Sequence, residues 1–259
     1  MQQRTIIVEA VGGDLDVFVN GSRRASVEGP DYVLTMVGVE EVLIGGENLM
    51  TATFHPSEAP VRPVRFRVRL AQMDMSGMVS TESGETIASV GWELAEATPE
   101  DGPTVTRQAR FDLAAGSLWD WPWTRELELT DALREELDVA VRRLGELVEA
   151  RDLATLEGLF EPYFAAMERN YGSDEAWRRE ELRGLLSNEA IPLRLEPIAT
   201  VGAGAYRAVA GGRLIELSDG DGRPLLRLAP FEDADGDLQR LELPIMLWRG
   251  PRGRLRPAL

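Results

Sequence analysis

The sequence predicts an α+β protein: an antiparallel β-sandwich first, then helices that run into a second antiparallel sheet. Three patterns carry this reading. Val64-Arg65-Phe66-Arg67-Val68-Arg69-Leu70 alternates apolar and basic residues with the period of two of a half-buried strand. Leu133, Leu137, Ala140, Leu144 and Leu147 recur at helical spacing, with Arg and Glu filling the opposite face. After Pro192, short β-rich runs return between glycine-containing turns. The 259 residues suffice for two ordinary domains, expected over 1–117 and 130–259 with a connector over 118–129.

The first part opens directly into a strand at Thr5-Ile6-Ile7-Val8. Leu15 to Val19 runs into Asn20-Gly21 and then Ser22 to Val27. Both turn positions tolerate positive φ, which suits a two-residue hairpin. Tyr32 to Val37, Leu49 to Phe54, Thr86 to Leu94 and Thr104 to Leu113 are further strands, the last two separated by a loop around Pro99 to Pro103. Arg65, Arg67 and Arg69 share one face of their strand. They are expected on the wet side of the sheet, paired with carboxylates of neighbouring strands. His55, just before Pro56, reads as a loop residue.

Leu118-Trp119-Asp120-Trp121-Pro122-Trp123 follows. Tryptophan buries a large area while its N–H keeps a partner, so Trp119, Trp121 and Trp123 are expected to fasten one domain to the other as a packed connector. Exposed on a flat face, they would instead stack on a sugar.

Thr130 reads as an N-cap of the first helix and Asp152 as a cap of the second, whose stripe is Leu153, Leu156 and Phe160. Pro162 is expected to begin a new segment carrying Tyr163, Phe164 and Met167, ended by Gly172. A last helix starts at Ser173 and holds Trp177, Leu182, Leu185 and Leu186. Strands are then expected over Leu193–Glu196, Ala205–Ala210, Arg213–Leu217, Leu225–Leu228, Leu241–Trp248 and Arg254–Arg256, with Gly211-Gly212 as a second hairpin turn.

Composition closes off much chemistry. There is no cysteine, and so no disulfide or thiolate nucleophile. One histidine cannot make a multi-histidine metal site. All 28 basic residues are arginine, which removes lysine Schiff-base chemistry and the lysine of a phosphate-binding loop. Asp233-Ala234-Asp235-Gly236-Asp237 alternates like a calcium loop. Leu238 and Pro244 stand where such a loop needs glycine and glutamate, so no metal is expected. No catalytic residue and no cofactor are assigned, and the balance leans away from an enzyme. The formal charge of −16 opposes phosphate backbones, so nucleic acid is not an expected partner, whereas a basic protein is. No apolar run is long enough to cross a bilayer, so no membrane partner is expected. The chain start lacks the apolar region of a secretory signal, which points to the cytoplasm.

Two resemblances add to this. The order of elements from Thr130 onward, with Glu149-Ala150-Arg151-Asp152-Leu153-Ala154-Thr155-Leu156 between the first helices, resembles the NTF2-like (SnoaL-like) α+β cone. The closing run from Leu247-Trp248-Arg249 to Arg254-Leu255-Arg256 looks like that family's last strands. The likeness implies helices covered by a curved sheet, around a pocket that could take Tyr163, Met167 and Tyr206. Tyr171 is a further tyrosine at a suitable helical place. Val19-Asn20-Gly21 with Gly46-Glu47-Asn48-Leu49 is similar to the turns of jelly-roll sugar-binding modules. The whole layout looks like uncharacterised bacterial proteins, and some proteins of this general sort act as immunity partners of secreted toxins. The leading expectation is therefore a non-enzymatic protein that holds a basic partner, such as a secreted type VI toxin, on an acidic surface. The alternative is a small molecule in the C-terminal cone.

Overall fold

The computed structural model describes residues 2–57, 63–74, 80–96, 103–114, 126–171, 177–196, 206–218, 224–232, 236–250 and 253–258. The chain divides into two compact units, Met1–Ser117 and Leu118–Leu259.

The first unit is built from β1 (Gln2–Val11), β2 (Gly13–Val19), β3 (Ser22–Val27), β4 (Val33–Gly38), β5 (Gly46–Pro56), β6 (Arg65–Asp74), β7 (Glu85–Glu93) and β8 (Val105–Leu113). They form two four-stranded antiparallel sheets, ordered β4-β1-β6-β7 and β3-β2-β5-β8. Alternation decides the core. Ile6, Val8 and Ala10 of β1 and Phe66, Val68 and Leu70 of β6 are buried from one sheet; Leu15, Val17, Val19, Met50, Ala52 and Phe54 are buried from the other. The Phe54 ring meets Phe66 at 5.4 Å and Trp92 at 5.9 Å between centroids, so aromatic packing joins the two layers.

The arginines of β6 divide their roles. Arg65 pairs with Glu9 of β1 at 2.8 Å, as expected of the wet face. Arg69 instead donates to the carbonyls of Thr81 (2.6 Å) and Ser83 (2.9 Å) and pins the turn that leads into β7.

Asn20 and Gly21 have φ of 49° and 84° and make the predicted hairpin between β2 and β3. The Asn20 side chain does more than turn the chain. Its Nδ2 donates to Asn48 Oδ1 (2.7 Å) and to the Val42 carbonyl (2.8 Å), while its Oδ1 accepts from the Leu49 N–H (2.9 Å). Asn48 is 1 % exposed. Its Oδ1 also accepts from the Ile44 N–H, and its Nδ2 donates to the carbonyls of Ile44 and Gly46. The two turns are thus tied side chain to side chain in one polar knot.

The second unit carries α1 (Asp131–Glu149), α2 (Leu153–Tyr171) and α3 (Trp177–Ser187), followed by β9 (Tyr206–Val209), β10 (Leu214–Leu217), β11 (Leu226–Arg227), β12 (Phe231–Glu232), β13 (Leu238–Gln239), β14 (Glu242–Leu243), β15 (Met246–Arg249) and β16 (Leu255–Ala258). The class is α+β. The strands make an antiparallel sheet ordered β16-β15-β10-β9 and two two-stranded ladders, β11-β14 and β12-β13. Thr130 caps α1 by accepting from the Leu133 N–H at 3.2 Å. Asp152 Oδ1 accepts from the Thr155 N–H at 3.1 Å, and hydrogen bonding to Thr155 holds its carboxyl below the usual range. Between the caps, Arg151 sits at φ 53°. Its guanidinium spans the Leu186, Asn188 and Ile191 carbonyls, closing the C-terminal end of α3.

Several expectations are corrected. Pro162 does not start a segment; it lies inside the continuous α2. Its missing N–H orphans the carbonyl of Gly158, an exposed residue, so water can take that bond. The buried stripe of α1 uses Val141 rather than Ala140. On α3, Leu186 is buried while Leu182 and Leu185 are only half-buried. Leu193–Glu196 is no strand, contributing a single bridge from Leu195 to Leu228. Leu241–Trp248 is split into β14 and β15 around Pro244, which has no N–H to give a ladder. The β12–β13 ladder was not anticipated. Asp233, Ala234 and Asp235 of the alternating acidic run lie outside the described residues.

Asn48→Ala removes four hydrogen bonds at a buried position and is expected to cost about 3 kcal/mol in urea unfolding. The Asn20→Ala/Asn48→Ala double variant should lose clearly less than the sum of the singles, because the two share one knot. Arg151→Ala loses the carbonyl contacts and keeps a strained φ, while Arg151→Gly loses only the contacts. The glycine variant should therefore be the more stable of the two by about 1 kcal/mol, with both below the parent.

Candidate functional site

The polar outer face of the β3-β2-β5-β8 sheet ends in an open groove of about 520 Å3, lined by Asp14, Leu15, Asp16, Arg23, Ser26, Glu28, Gly29 and His55. Its position follows from two glycines. Gly12 turns from β1 into β2 at φ 85°, and its N–H donates to the Pro30 carbonyl at 3.0 Å. At Gly13 a Cβ would lie 2.3 Å from the His55 carbonyl oxygen, so only glycine lets β5 approach this closely. The register then sets Asp14 opposite His55 and Asp16 opposite Thr53. The Asp14-Leu15-Asp16 alternation puts both carboxylates on the outer face and Leu15 in the core.

Asp14 and His55 each have a hydrogen-bond partner. Asp14 Oδ1 accepts from the Gly29 N–H at 2.7 Å, which folds the β3–β4 turn over the groove. His55 Nδ1 is 3.0 Å from Thr104 Oγ1. Arg23 Nη1 stands 3.7 Å from Asp16 Oδ1. That oxygen is buried and has no hydrogen-bond partner among the described residues. Three carboxylates against one arginine give the groove a negative balance and an excess of acceptors. Its chemistry suits a cationic donor such as a guanidinium or ammonium group. No group of three or more His, Asp or Glu among the described residues is arranged to hold a metal.

The residues singled out from sequence fall elsewhere. His55 belongs to β5, not to a loop; its pairing with β2 continues one residue further, to Pro56. Tyr163 and Met167 lie one turn apart on α2, 3 % and 7 % exposed, with the Tyr163 ring edge-on to Phe164 at 5.8 Å. Tyr206, on β9, is 4 % exposed and donates its hydroxyl to Asp138 of α1. Burial, and then the hydrogen bond and charge of Asp138, push the Tyr206 phenol well above its ordinary value against the pull of Arg134 and Arg142. At neutral pH this tyrosine is a proton donor engaged with its carboxylate and not a base. Trp119, Trp121 and Trp123 lie outside the described residues, and Tyr171 closes α2 without a described side chain. Sequence reasoning missed Asp14, Asp16, Arg23 and Glu28. The signal available was the spacing of Asp14 and Asp16, which fixes them on one face of a strand.

Compared with protein families, characterised proteins and solved structures, the chain matches none.

Because the Tyr206 phenol is raised in the folded state, its stabilisation is present below the ordinary phenol range near pH 10 and is lost as pH rises through the folded value. Ultraviolet titration should show one tyrosine ionising last, together with unfolding. Tyr206→Phe should abolish that late step and cost about 1–2 kcal/mol at pH 7.

Proposed function

We propose that this chain is a non-enzymatic protein-binding protein that holds a basic partner on an acidic surface. Its most concrete form is a bacterial immunity protein neutralising a secreted toxin of the type VI kind. The observation that supports this is how charge is disposed. The chain has 44 carboxylate residues and 28 arginines. Among the described residues, several arginines are drawn into the chain's own contacts: Arg4 to Glu40, Arg24 to Glu41, Arg65 to Glu9, Arg183 to Glu157 and Glu180, Arg227 to Glu196 and Arg249 to Glu136. Carboxylates outnumber arginines by 16, and the groove gathers Asp14, Asp16 and Glu28 against Arg23 alone in a concave place. A steering field of this sign speeds encounter with a cationic surface and rejects anionic ones.

A second reading puts a small molecule in the C-terminal unit, taken as an NTF2-like cone. The pairing of Tyr206 with Asp138 between β9 and α1 favours it, since such a pair can orient a polar ligand. Against it, each group of the pair already answers the other.

Both readings meet in one experiment: capture of partners on the immobilised full chain at about 150 mM salt, in parallel with native mass spectrometry. The protein-binding reading expects one stoichiometric basic protein, lost or weakened about tenfold in the Asp14→Asn/Asp16→Asn/Glu28→Gln variant. Capture unchanged in that variant removes the groove from the reading. An empty matrix together with a small-molecule adduct on the native chain replaces the first reading by the second.

A further inference from the structure

We propose that the free edge of β4 receives an extended segment of the basic partner as an added strand; the inference rests on the protein-binding reading above. Among the described residues, β4 ends its sheet and has β1 as its sole neighbour. The Val39 N–H donates to the Arg4 carbonyl at 3.2 Å, and in an antiparallel ladder this puts Val33, Thr35 and Val37 in hydrogen-bonded pairs with β1. The N–H and C=O of Leu34, Met36 and Gly38 therefore point to the open side. The Gly38 carbonyl accepts there from Arg24 Nη2 at 3.2 Å, as that alternation requires. No hydrogen bond among the described residues takes the outward groups of Leu34 and Met36.

This edge differs from the other three. β3 carries Arg23 and Arg24, β7 carries Glu85 and Glu93, and β8 carries Arg107, Arg110 and Asp112, the kind of charge that guards an exposed edge against added strands. Val33-Leu34-Thr35-Met36-Val37-Gly38 has no charge and no proline, in a chain of which 28 % is charged. None of its residues is buried; Leu34 is 43 % exposed and the adjoining Tyr32 56 %. Leu34 and Met36 share the outer face, so an added strand gains apolar contact on that side as well as a ladder.

Charge decides the occupant. Exposed Glu28 and Asp31 lie just before β4. A second copy of this chain would bring its own charge of −16, and the same carboxylates, to the edge. A segment with alternating apolar residues and arginine or lysine at its ends satisfies the ladder, the Leu34–Met36 face and the carboxylates together.

The test uses the 15N-labelled full chain and the synthetic heptapeptide RVTVTVR. Amide hydrogen exchange at Leu34 and Met36 should slow at least about tenfold with saturating peptide, while Thr35 and Val37, already bonded to β1, should not change. Leu34→Pro removes an outward N–H that the fold does not use, and should abolish binding while Thr35 and Val37 stay protected. Peptide bound equally by the Leu34→Pro chain but weakened by Asp14→Asn/Asp16→Asn/Glu28→Gln overturns the edge proposal and leaves the acidic-surface reading standing. No binding to the parent chain overturns the edge proposal alone, because the acidic-surface reading is decided by the capture experiment above. Protection at Leu34 and Met36 that grows with protein concentration in the absence of peptide also overturns the proposal, by assigning the edge to a second copy.

Discussion

Arginine is the sole cation this chain has, and the structure is arranged around that constraint. A guanidinium cannot shed its charge and presents five donors in a plane, so it needs several acceptors at once. The fold supplies them at the places where separate elements must be held. Arg151 gathers three carbonyls at the end of α3, and Arg69 gathers those of the turn before β7. Arg183 joins α3 to Glu157 of α2, and Arg249 joins β15 to Glu136 of α1. Arg24 reaches from β3 of one sheet to Gly38 and Glu41 beside the edge of the other.

These contacts position more than they stabilise. Most of the paired side chains keep part of their surface in water, where an ion pair contributes about 0–1 kcal/mol. Glu40 is deeper, and burial pushes its carboxyl up from the ordinary value, with Arg4 drawing it only part of the way back. Cohesion comes from the apolar layers instead. A phenylalanine side chain such as Phe54, fully withdrawn from water, contributes about 1.5–3 kcal/mol. The division of labour is clear in the sandwich: alternation builds the core, and polar knots at its rim decide how the turns are placed.

Local rules made most of this legible. The eight strands of the first unit, the Asn20-Gly21 hairpin and the caps at Thr130 and Asp152 all follow from patterns within a few residues. What escaped depended on partners distant in sequence. Asn20 and Asn48 are 28 residues apart, and nothing in either turn announces that their side chains meet. The groove needs Asp14 beside His55, a pairing set by the close approach at Gly13. Pro162 broke a local rule because exposed Gly158 leaves its carbonyl to water. The strands β12, β13 and β14 have two residues each, too few to show any period.

The Asn20–Asn48 knot also bears on how this sequence can drift. A change at either position alone strands buried donors and acceptors belonging to the other, and to the backbone at Ile44 and Leu49. Single steps away from asparagine therefore cost stability even where the resulting pair would be sound. The path between two sound pairs thus runs through a less stable intermediate, which ties a change at one position to a change at the other.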